Sequence, residues 1–71
     1  MVLAVFNYRN EKLGDINDLI VDIATGRVSS LIVAFDGRLA VVPLTAFHYD
    51  AALQLLRLNS TKDALKALPP L

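Results

Sequence analysis

The chain has 71 residues, enough for one domain with a small core and marginal stability, and no cysteine, which excludes disulfides, thiolate metal sites and cysteine nucleophiles. Seven basic and seven acidic side chains cancel to a formal net charge of +0 without any basic run, so the footprint by which a sequence-independent nucleic-acid binder displaces counterions is missing. The hydrophobic fraction is 55%, yet the opening apolar run, Met1 to Phe6, is far shorter than the ~20 residues that span a bilayer; no membrane span is predicted, and a cytoplasmic protein or a soluble piece of a larger one is expected.

In chain order, Val2 to Asn7 predicts a first short strand, and Arg9-Asn10-Glu11-Lys12 a charged turn. Leu13 to Ile23 predicts a second strand with a flaw in its alternation, because Ile16 has the opposite parity from Leu19, Val21 and Ile23. A β-bulge near Asn17-Asp18 restores one continuous apolar face, and Gly14 suits either a close backbone approach or a bend. The next connection, Asp22 to Arg27, is a turn in which the Asp22 carboxylate accepts backbone N–H bonds and Gly26 takes positive φ.

Val28 to Pro43 is the stretch around which the rest is organised: two β-branched, apolar runs separated by Asp36-Gly37. That dipeptide suits a type I′ turn, which needs positive φ at both central residues. The turn pairs Phe35 with Arg38, Val33 with Ala40 and Leu31 with Val42 on one side of the pleat, and sends Ile32, Ala34, Leu39 and Val41 to the other. Both faces are apolar, whereas a free-standing hairpin normally turns polar residues to water on one side. The pattern predicts that one face fills the core and the other is covered by a second protein surface.

After the hairpin, Pro43 ends the ladder, Leu44 to Phe47 suits one 3₁₀-like turn, and Phe47 plugs the end of a small barrel. His48 to Asp50 and Leu53 to Leu58 predict strand on either side of a turn at Asp50-Ala51-Ala52, with Leu53 and Leu55 on one face and Leu56 and Leu58 on the other. Ser60 is the expected N-cap of a helix from Thr61 to Leu68, with Asp63 in its first turn, an apolar stripe of Leu65 and Leu68, and Pro69-Pro70 as the stop. This helix is expected to lie across a barrel opening.

Leu13-Gly14-Asp15-Ile16-Asn17-Asp18-Leu19-Ile20-Val21-Asp22, Thr25-Gly26-Arg27-Val28, the Leu31-Ile32-Val33 run and Val42-Pro43-Leu44 resemble the PRC-barrel family. That family is named for the cytoplasmic domain of the photosynthetic reaction-centre H subunit and includes the C-terminal domain of a ribosome-maturation factor. The resemblance spans nearly the whole chain, through Ala64-Leu65-Lys66-Ala67-Leu68-Pro69, and implies one all-β domain over residues 1–71. It further implies a small six-stranded antiparallel β-barrel with a short C-terminal helix, and apolar residues kept at the positions of Ala40 and Val42. On that basis Leu31, Val33, Phe35, Ala40 and Val42 are expected inside with Ile16, Leu19 and Val21. Leu44 stands where the family often has an aromatic, and the short segment before Leu13 leaves the first strand incomplete. The resemblance also implies an assembly or adaptor module without a family-wide catalytic site, one setting shaping a cytoplasmic face and proton entry, the other holding a ribosomal protein.

The residues with chemistry to offer are few. His48 has no serine nucleophile in an elbow motif to serve, since Ser29, Ser30 and Ser60 lie outside any G-x-S-x-G pattern. Asp15, Asp18 and Asp22, with Glu11 nearby, form the only acidic concentration, but Asp18 and Asp22 fall about 13 Å apart along an unbent strand, too far to chelate one cation together, and Arg27, Arg38 and Arg57 read as solvated charges or as partners of these aspartates. No catalytic, cofactor-binding or metal residues are expected. The functional expectation is a non-catalytic protein-interaction module that pairs with itself as a homodimer, or docks on a larger assembly, through Ile32, Ala34, Leu39 and Val41, extended by the strand from Leu53 to Leu58. The alternative is a ribosome-maturation or RNA-processing adaptor that binds a ribosomal protein, without touching nucleic acid directly.

Overall fold

A computed structural model describes residues 3–69. The elements run β1 (Ala4–Phe6), β2 (Lys12–Asp22), β3 (Arg27–Phe35), β4 (Arg38–Pro43), a 3₁₀ turn (Leu44–Ala46), β5 (Phe47–Asp50), β6 (Leu55–Leu58) and α1 (Lys62–Lys66). Val2 and Pro70, expected to open the first strand and to stop the helix, lie outside the described residues.

The β3–β4 hairpin forms in the register that Asp36-Gly37 dictates, with Phe35 opposite Arg38, Val33 opposite Ala40 and Leu31 opposite Val42. Both turn residues sit at positive φ, 48° for Asp36 and 72° for Gly37, which matches the right-handed twist of the flanking strands. β2 pairs antiparallel with β3, and its register shifts between Ile16 and Asp18, where the bulge is needed to bring Ile16 onto the face of Val33. The same pairing shifts again between Ile20 and Val21, and a third shift, between Val5 and Phe6 of β1, leaves Leu13 as an extra residue on β2; it is buried, and Gly14 beside it passes close to β3. A Cβ on Gly14 would run into the carbonyl oxygen of Ala34, so of the two roles open to this glycine the structure uses the close approach.

The sheet order is β4-β3-β2-β1-β6-β5. Its pairs are antiparallel except β1 with β6, which run parallel, so the sheet is mixed where an antiparallel barrel was expected. Parallel neighbours need a long connection, and here everything from β2 to β5 supplies it. Nor does the sheet close: the 3₁₀ turn after Pro43 carries the chain away from β4 to the hairpin of β5 with β6, leaving β4 and β5 as the two edges of a half-barrel.

The inner face holds Val5, Leu13, Ile16, Leu31, Val33, Phe35, Ala40, Val42, Leu56 and Leu58, and Leu65 of α1 completes the cluster, with Leu3, Val28 and Phe47 packed against it. Burying each large member stabilises by roughly 1.5–3 kcal/mol. Leu19, Val21 and Ile23 do not join this core and are 43%, 52% and 95% exposed. Leu19 faces the correct side, opposite Leu31, but β1 has three residues and reaches only to Asp15, so the far halves of β2 and β3 project past it. The helix starts one residue later than expected: Thr61, not Ser60, is the N-cap, its hydroxyl accepting the Ala64 N–H at 3.1 Å. Asp63 lies in the first turn, and Leu68 is 40% exposed beyond the last.

Candidate protein interface

Alternation along β3 and β4 sends Ile32, Ala34, Leu39 and Val41 to the outer face of the half-barrel. Ile32 lies opposite Val41 and Ala34 opposite Leu39, so the four form a contiguous block two strands wide. The first three retain partial exposure and Val41 is 36% exposed, the most of the four. On the β2 side the block ends at carboxylates, because Asp18 pairs with Ile32 and Asp15 with Ala34. Asp15 also meets Lys12 at 3.2 Å. On the β4 side nothing in the sheet bounds it, since β4 is an edge. The strand of Leu55 to Leu58 does not extend the block: β6 lies between β1 and β5, and Leu53 falls in the preceding turn, 60% exposed.

The turns that hold this block take the residues expected of them. The Asp22 carboxylate accepts the Ala24 N–H at 2.9 Å, and Gly26 takes φ 68° while its N–H donates to the Asp22 carbonyl at 2.7 Å. Asp36 has a second use: its two carboxylate oxygens lie 3.7 Å from Lys62 and 3.7 Å from Lys66, tying the hairpin tip to α1. These pairs are partly exposed, so they orient the helix more than they stabilise it.

Two polar residues do work that the pattern of apolar residues could not announce. Asn7 is buried at 4% exposure, and its side-chain oxygen accepts the N–H groups of Arg9 and Glu11, both at 2.9 Å, closing the β1–β2 turn. Arg57 on β6 donates to the Asn7 carbonyl and the Asn10 side-chain oxygen, both at 2.9 Å, and approaches Asp50 at 3.6 Å. Its guanidinium links β6 to that turn and to β5, and its carboxylate partner is Asp50, not Asp15, Asp18 or Asp22. His48 lies exposed on β5 opposite Arg57. Among the described residues no three His, Asp or Glu side chains converge as metal ligands would, and no helix is long and apolar enough to cross a membrane.

The chain is thus a small β-domain, a six-stranded half-barrel with one face packed on a core and the other carrying an apolar block beside an open edge. Residues 2–66 match the model of the PRC-barrel domain, and the chain belongs to that family. Comparison with curated proteins finds no significant match.

Proposed function

We propose that the chain is a non-catalytic assembly module that associates with a second copy of itself through the β3–β4 surface. The observation that carries this reading is the outer block of Ile32, Ala34, Leu39 and Val41, fenced by Asp15 and Asp18 on one side and open at a sheet edge on the other. Apolar area is worth about 25 cal/mol per Å² when removed from water, so even a modest contact offsets part of the cost of association. A domain of this size has little stability to spare, and binding that favours the folded state raises it. A symmetric pair about a two-fold axis is the commonest way for identical chains to achieve this.

The test is the mass in solution of the unaltered chain and of a variant carrying Ile32→Lys and Val41→Lys. The proposal expects twice the 7.8 kDa of one chain for the former, and a folded, less stable monomer for the latter. An unaltered chain that stays monomeric at micromolar concentration overturns it.

A further inference from the structure

The edge of β4 has its own chemistry. A two-residue turn closes on a hydrogen-bonded pair, here Phe35 with Arg38, so Arg38, Ala40 and Val42 exchange backbone bonds with β3. Leu39 and Val41, one residue out of phase, direct their N–H and C=O groups away from the sheet, and no other described backbone or side-chain group bonds to them. Natural edges are blunted by charges, bulges or proline within the strand. Between Arg38 and Pro43 this edge is Leu-Ala-Val-Val, and its register with β3 runs without a shift.

We propose that two copies of the chain join by pairing β4 with β4, antiparallel about a two-fold axis, into one continuous sheet. This deepens the self-association reading above and rests on it. The register follows from the residues. Placing Ala40 opposite Ala40 of the partner subunit sets Leu39 against Val41 of the partner subunit, and each exchanges both backbone groups with the other. Ala40 then occupies the non-hydrogen-bonded position, where side chains approach most closely, and it has the smallest side chain on the strand. Pro43, which has no N–H to give, falls beyond the ladder.

On the outer face the same register lines up Ile32, Val41, and Leu39 and Ala34 of the partner subunit in one row, with the symmetric row beside it. The two apolar blocks merge across the seam, and the carboxylates of Asp15 and Asp18 remain at its far margins. A groove of about 290 Å³ lies between β4 and α1, with Phe35, Ala40, Leu65 and Leu68 among its lining residues. The antiparallel pairing brings the Val42 end of the partner subunit's strand to this groove.

Amide hydrogen exchange read residue by residue tests the pairing. In the associated protein the Leu39 and Val41 amides are expected to exchange at least ~10-fold more slowly than in the dissociated chain. Val41→Pro removes one outward N–H and no bond to β3, so it is expected to give a folded monomer, whereas Val41→Thr, which leaves the edge N–H groups and the outer block's Ile32, Ala34 and Leu39 in place, remains paired. Leu39 and Val41 amides that exchange freely while the mass is that of two copies overturn edge pairing but leave association through the outer face standing. A folded Val41→Pro variant that still pairs does the same. If Val41→Pro does not fold, the exchange measurement on the unaltered chain decides alone. A monomeric unaltered chain overturns both readings.

Discussion

Gly14 shows how much one missing side chain can position. It stands where the bulge presses β2 against β3, and an added Cβ would meet not only the Ala34 carbonyl but also Val33 Cγ1 at 3.0 Å and the Phe35 Cβ at 3.1 Å. Gly14→Ala is therefore expected to cost about 1–3 kcal/mol in denaturant titration, the range for overpacking a well-filled site. Gly37 is constrained differently: a Cβ there meets nothing within 4 Å, but φ is 72°. Gly37→Val is expected to cost more than the ~1 kcal/mol of an ordinary substitution, because a β-branched residue is strained at positive φ, and a loss under half of that contradicts the turn. Glycines, turn aspartates and the Asp36-Gly37 pair are legible in a sequence because each answers a local backbone demand. Asn7 and Arg57 are not, since their partners are fixed by which strands become neighbours, and β1 beside β6 is a meeting of residues some fifty positions apart.

At the scale of elements, the β3–β4 hairpin is the organising unit, and its inner row is the test of which face is which. Val33 is fully buried, so Val33→Asp places a carboxylate where nothing pairs with it, and loss of the cooperative unfolding transition is expected. A well-folded Val33→Asp variant would show the faces reversed. Alternation separates the two rows of β3 and β4 and calls for the bulge after Ile16, but because both rows are apolar it is the resemblance at Ala40 and Val42 that points to the inner one. Leu19 and Val21 show where alternation stops being informative: it specifies a side of the sheet, but burial also needs something opposite, and the three-residue β1 ends too soon to provide it, while Ile23 falls past the end of β2 in the turn. Both Ser60 and Thr61 offer a capping hydroxyl, and the structure uses Thr61, with Leu65 of the resulting helix buried.

At the scale of the molecule, the parallel contact of β1 with β6 and the two open edges are properties of the whole path, and no local pattern encodes them. The apolar outer block was legible as composition, but its boundary was not. The carboxylates of β2 fence one side and the β4 edge leaves the other open, while β6, a candidate to enlarge the block, lies on the far side of the sheet. On that asymmetry rests the proposal that a second copy meets the chain along β4. The most direct measurement is sedimentation equilibrium of the unaltered chain across micromolar concentrations. Self-association predicts a mass rising to twice 7.8 kDa, and reduced to that of one folded chain by Ile32→Lys with Val41→Lys. A mass of 7.8 kDa throughout, with Ile32, Ala34, Leu39 and Val41 left in water, contradicts it.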